Sequence, residues 1–129
     1  MIAIDSSSFI AYLDGSSAPD VEATELALAH QQATLPPAVL TELLSEPGLS
    51  RELRTLLVGL PTLEVVDGYW ERAGLLRARI LGRKRRARLA DTLIAQFCLD
   101  HDVELVTRDP DFAPFAAIGG LKLFSGRPR

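Results

Sequence analysis

The chain alternates brief apolar runs with segments of helical length, and this alternation limits its fold more than any other feature. Ile2-Ala3-Ile4 is a short apolar run that reads as a buried strand. Asp5 stops it, and Ser6-Ser7-Ser8 offers N-caps for a helix through Phe9, Ile10, Tyr12 and Leu13. Asp14-Gly15-Ser16-Ser17 breaks that helix, and a second is predicted over 20–32. Ala33-Thr34-Leu35 is a brief strand closed by Pro36-Pro37, and Pro37 suits the first turn of a helix over 38–45. Pro47-Gly48 ends it. Leu53, Leu56, Leu57 and Leu60 form a helical stripe, and Leu63-Glu64-Val65-Val66 is the next predicted strand. Tyr69, Ala73, Leu76 and Ile80 predict an amphipathic helix over 68–82, and another helix is predicted over 89–101. Val103-Glu104-Leu105-Val106-Thr107 reads as a strand, 109–115 as a loop or short turn of helix, and Leu121-Lys122-Leu123-Phe124 as a final strand before the tail Gly126-Arg127-Pro128-Arg129.

Strands separated by helices imply βα units around a parallel sheet. The expected fold is therefore α/β, a three-layer sandwich with a central, mostly parallel sheet of four to five strands flanked by helices. At 129 residues, with 47% hydrophobic and 24% charged residues, one globular domain over 1–129 is expected and global disorder is not. A lone cysteine, Cys98, makes no internal disulfide, and with only His30 and His101 it offers no zinc-ligand spacing. The first residues carry neither a basic segment nor a long apolar run, and no stretch approaches a membrane span, so a soluble cytoplasmic protein is expected.

Parallel sheets bind ligands beyond the carboxyl ends of their strands, so residues just after each strand come first. Asp5 follows the first run, where a carboxylate is expensive unless it is paired or bound to a cation; the structural alternative is a helix cap. Asp91 shares a helix face with Ile94, Ala95 and Cys98, the apolar face that should point inward; here too a first-turn cap is the alternative. Asp109 follows Val103 to Thr107, with Asp111 two residues on, a pattern that an Asp-rich turn also produces. Glu42 borders the Leu43-Leu44 pair in mid-helix, with Glu46 one turn later as its competitor. Clustered carboxylates repel one another unless a cation is present, and hard oxygen ligands without Cys or His favour magnesium or manganese.

The net charge of -3 does not point to nucleic acid, but its distribution does. From Arg72 to Arg88 the chain holds Arg72, Arg77, Arg79, Arg83, Lys84, Arg85, Arg86 and Arg88 with no Asp or Glu. Such a stripe is a local electrostatic footprint, or else a solvated helix end. Between Arg83 and Arg88 only Ala87 is apolar, so this segment is expected to face water.

Four pieces of the sequence, in this order, resemble the PIN-domain ribonucleases, and within them the VapC-like toxins of type II toxin–antitoxin pairs. They are Ile2-Ala3-Ile4-Asp5-Ser6-Ser7, Thr41-Glu42-Leu43-Leu44, Leu89-Ala90-Asp91-Thr92-Leu93-Ile94-Ala95, and Leu105-Val106-Thr107-Arg108-Asp109-Pro110-Asp111-Phe112. The resemblance implies a PIN-like fold and a Mg/Mn-dependent endoribonuclease, a toxin that inhibits translation or growth. Its metal ligands would be Asp5, Asp91 and Asp109, with Glu42 completing the catalytic acids, and Asp111 and Ser7 as additional site residues. It also implies a cognate antitoxin and a homodimer, for which Phe9, Tyr12, Leu13, Leu53 and Leu57 are candidate surface residues or equally core. The run Arg83, Lys84, Arg85, Arg86 and Arg88 is more basic than the family pattern and is a candidate RNA-binding segment.

Other classes fit less well. A phosphate-accepting receiver domain needs adjacent acids after the first strand and an acceptor Asp, for which only Asp67 is available, although Lys122 matches its late lysine. A phosphatase of the haloacid-dehalogenase type needs Asp-x-Asp there, and Ser7 takes the second place. A non-catalytic module of the PIN fold that binds RNA or protein is the main alternative. Trp70, Phe97 and Cys98 read as packing residues, and His30 and His101 as helix-end residues.

Overall fold

The computed structural model describes residues 1–125, so the tail from Gly126 lies outside the described residues. Three short strands make a parallel sheet in the order β2-β1-β3. The strands are β1 (Ile2–Ile4), β2 (Ala33–Thr34) and β3 (Leu105–Val106). Ala3 stands opposite Thr34 on one side and Leu105 on the other, so β1 is the middle strand. Successive strand residues point to opposite faces. Ala3 and Ile4 are both fully buried, as are Leu105 and Val106. Both faces of the sheet are therefore covered, the burial pattern of a parallel α/β sheet.

Among the described residues, seven helices supply the cover: α1 (Ser6–Leu13), α2 (Pro19–Ala29), α3 (Pro37–Leu44), α4 (Arg51–Val58), α5 (Tyr69–Gly82), α6 (Leu89–His101) and α7 (Ala113–Gly119). Their boundaries have local causes. Pro19 and Pro37 occupy the first turns of α2 and α3, where a missing N–H removes no hydrogen bond. The Ser50 hydroxyl accepts from the Leu53 amide and caps α4. Gly68 enters α5 at φ +83, and a Cβ there would lie 2.5 Å from Arg72 Nη1. Asp102 and Gly120 close α6 and α7 in the left-handed region. α1 packs on α2, α5 on α6 and α7, and α3 on both α1 and α6. The core centres on Phe9, Ile4, Ile94, Phe97, Phe112 and Phe115.

The sheet is smaller than the four to five strands expected. Leu63 to Val66 forms no strand; Val65 and Val66 are each more than 40% exposed, and the segment is coil. Of the predicted final strand, only Leu123 pairs, in a single parallel bridge to Leu105. The turn after β3 becomes a 3-10 turn, Pro110–Phe112, leading into α7. Phe97 and Cys98 are core residues, whereas Trp70 is 64% exposed and is not a packing residue. Phe9 and Leu57 are core rather than surface. His101 ends α6 with its ring on Phe97 and its Nε2 2.7 Å from the Glu64 carbonyl.

Phe112 is fully buried against Phe115, one residue after Asp111. Replacing it with Ala is expected to lower stability by about 3–5 kcal/mol. Urea denaturation followed by circular dichroism checks this.

Candidate metal centre

β1 and β3 run parallel, so the residues that leave their carboxyl ends emerge side by side. Asp5 leaves β1, and Thr107 through Asp111 leave β3. Asp5 stands at the N-cap of α1, yet its side chain caps nothing. Its Oδ2 instead accepts from the hydroxyls of Ser7 and Thr107, each at 2.7 Å. The residue is only 4% exposed, so these two donors are its compensation for burial.

From Asp5 a hydrogen-bond chain continues along the site. The Asp109 amide donates to Thr107 Oγ1 at 3.1 Å, and the Asp111 amide donates to Asp109 Oδ1 at 2.9 Å. The Asp-rich turn reading is therefore also correct: Asp109 caps its own 3-10 turn. On the far side, the Arg108 amide donates to Ser7 Oγ at 3.3 Å. The Arg108 guanidinium holds both oxygens of Asp20, at 2.8 and 3.1 Å, and the Ser8 hydroxyl donates to the same carboxylate. The Arg108 hydrogen bonds are the chief reason that Asp20 titrates below the usual carboxylate range.

Asp91 comes from the first turn of α6 and faces this turn. One carboxylate oxygen each from Asp91, Asp109 and Asp111 lies within 4.8 Å of the other two. Asp5 is not a member of that triplet, although its charge acts on Asp91. Asp91 Oδ2 is buried and has no hydrogen-bond partner. Burial first, then the charges of Asp109 and Asp5, raise the Asp91 carboxyl to about 6, with Arg88 opposing. Glu42, on α3, accepts from the Ser6 hydroxyl at 3.4 Å. Desolvation and the Asp5 charge raise its carboxyl, and Ser6 lowers it. Each sequence-selected acid thus lies at the carboxyl edge of the sheet, with Asp91, Asp109 and Asp111 gathered most tightly.

The basic segment does not simply face water. Ala87 is 4% exposed, and its carbonyl accepts from Arg77 Nε at 2.8 Å. On either side of it, Arg88 and Arg86 approach Asp111 Oδ2 at 3.3 and 4.0 Å. The sequence reading did not single out Thr107, Ser8, Asp20 or Arg108. The one usable signal was Thr107, two residues before Asp109 at a strand end, the spacing of a side chain that bonds its own turn.

A three-carboxylate set with an orphaned buried oxygen suits a hard divalent cation: the donors are all oxygen, and the cation would offset their mutual repulsion. Without a cation, the folded chain keeps the Asp91 proton to about pH 6, whereas the unfolded carboxyl loses it near 3.8. The folded state then binds more protons, so stability falls as pH rises through that window. In chelator, Asp91→Asn is therefore expected to melt above the parent at about pH 7.5, with the gap closing towards about pH 4. Calorimetry across pH checks it.

Comparison with known proteins adds three findings. The family model for the PIN domain matches residues 2–118. The crystal structure of FitAcB from Neisseria gonorrhoeae contains a chain similar to this one at a TM-score of 0.72 and 18% identity, covering 98% of each chain. No curated protein matches the sequence.

Proposed function

This chain belongs to the PIN domain family, and from that premise we propose that it is a Mg- or Mn-dependent endoribonuclease, the toxin of a toxin–antitoxin pair that inhibits translation or growth. Family membership supports a nuclease. The observation that carries the finer reading is Asp91 Oδ2, a buried carboxylate oxygen without a partner beside two further carboxylates. In this reading Asp5, Asp91 and Asp109 hold the cation, with Glu42 as the remaining catalytic acid, while Asp111, the third carboxylate of the tight triplet, faces Arg88 and Arg86. A divalent cation bound there lowers the pKa of a water and offsets charge on the scissile phosphodiester.

The chain's own groups do the rest. Ser7 and Thr107 hold Asp5 Oδ2, fixing the carboxylate orientation before any ligand arrives. The Ser6 hydroxyl makes a longer contact, 3.4 Å, to Glu42. The amide chain from Thr107 through Asp109 to Asp111 sets the second edge of the site. Arg83, Lys84, Arg85, Arg86 and Arg88 supply positive charge for an RNA backbone that the acids would otherwise repel. The proposed domain spans 1–129 and acts in the cytoplasm as a homodimer; no helix among the described residues is long and apolar enough to cross a membrane. A cavity of about 620 Å³ lined by Ile10, Leu13, Leu43 and Leu53 opens beside Glu42. This largely apolar recess, with the acids Asp14, Glu42 and Glu46 in its lining, supports an antitoxin segment as the partner.

The test is cleavage of single-stranded RNA. The parent is expected to cut with magnesium or manganese and to stop in chelator. Asp91→Asn is expected to fold normally and lose at least about 100-fold in rate. Equal cleavage by the variant would remove the metal role, and RNA binding without cleavage would leave a non-catalytic PIN module.

A further inference from the structure

The site poses an electrostatic problem of its own. Asp5, Glu42, Asp91, Asp109 and Asp111 meet at one edge of the sheet, and a phosphodiester is itself an anion. Neutralising the acids alone does not draw an RNA strand to this point. Positive side chains must reach the same spot, and two of the basic run do so. Ala87 is buried and pinned through its carbonyl by Arg77. This inward anchor leaves its two neighbours to turn outward together, Arg88 to 3.3 Å and Arg86 to 4.0 Å from Asp111 Oδ2. Arg88 is also the N-cap residue of α6, three residues before Asp91 on the same helix. Its charge acts on Asp91 as well as Asp111. Arg83, Lys84 and Arg85 make no ion pair among the described residues that involves these acids.

We propose that Arg88, which approaches Asp111 at the edge of the acid cluster, and Arg86 next to it are the groups that bind the phosphodiester to be cleaved, while Arg83, Lys84 and Arg85 contact flanking backbone only. The claim rests on the nuclease reading given above and divides its basic segment into two roles. A guanidinium carries five donors in a planar fork. One edge can stay on Asp111 while the other takes non-bridging phosphate oxygens bidentately. The side chain of Arg88 is 53% exposed and that of Arg86 65%, so both keep free donors. Asp111 is then a positioning residue. The exposed ion pair adds little stability, but it keeps the Arg88 guanidinium within 3.3 Å of Asp111 at the edge of the acid cluster.

The experiment uses the full chain and three measurements: Mn2+ binding by calorimetry, single-turnover RNA cleavage at saturating metal, and RNA affinity against salt. Arg88→Ala is expected to lower the cleavage step by about 100-fold. Its Mn2+ binding should be unchanged or tighter, because a cation next to the site has gone. A merely structural role would weaken Mn2+ binding instead. Arg88→Lys keeps the charge without the fork and should fall between Ala and the parent. The triple variant Arg83→Ala/Lys84→Ala/Arg85→Ala is expected to weaken RNA affinity and to flatten its salt dependence by about one unit of slope per lost contact, and to lose less of the cleavage step than Arg88→Ala. Parent-like cleavage by Arg88→Ala, or its loss of Mn2+ binding, would overturn the proposal while leaving the nuclease intact. A parent protein that cuts no RNA would overturn the nuclease reading first, and this division of roles with it.

Discussion

One constraint organises the molecule: a carboxylate sits almost out of water at the end of the middle strand, and its surroundings have to compensate for it. Asp5 is 4% exposed. Two hydroxyls, from Ser7 and Thr107, lie on one of its oxygens. Ser7 can reach it because α1 starts directly after β1, and Thr107 because β3 runs parallel beside β1. The same Thr107 hydroxyl receives the Asp109 amide, which places the next acid. Strand order, helix start and turn geometry are thus tied to a single buried charge. Removing the sheet register by one residue would turn Thr107 to the other face and dissolve the arrangement.

The acids are held by neutral donors more than by cations. The guanidinium that grips a carboxylate with two hydrogen bonds near the site, Arg108, is committed to Asp20 on α2. It fixes the loop from behind and leaves the front negative. Burial, then the neighbouring acids, raises the Asp91 carboxyl, whereas the Arg108 hydrogen bonds lower that of Asp20, though both are aspartates within one region. Arg86 and Arg88 form their ion pairs with Asp111, and the Arg88 charge also acts on Asp91. The field therefore changes sign across a few residues, from acids at the strand ends to a basic rim.

Much of this could be read from the sequence, and the limits have physical reasons. Helices α1 to α5 were visible from apolar residues at helical spacing or from Pro, Ser and Gly near their ends, and α6 from the apolar face that carries Ile94, Ala95 and Cys98. Asp91 stood out because it shares a face with Ile94, Ala95 and Cys98, which are buried. The strand at 63–66 was expected from its apolar and β-branched residues, but β-propensity forms a strand only where a partner pairs with it, and this segment stays unpaired coil. Trp70 looked like a core residue by type, but its position on α5 turns it outward beside Tyr69, whose hydroxyl bonds the Leu93 carbonyl. Arg108 and Asp20 are 88 residues apart, so no local pattern joins them. The inward turn of Ala87 was equally invisible, since one alanine among arginines carries no periodic signal.

The strands themselves are two and three residues long. β2, at one margin, offers very few open amide and carbonyl groups, and the other margin is bridged by Leu123. A visiting chain therefore finds almost no backbone ladder to extend. Recognition of this protein falls to side-chain surfaces on its helices and loops, and the same brevity leaves a poor template for cross-strand fibre growth.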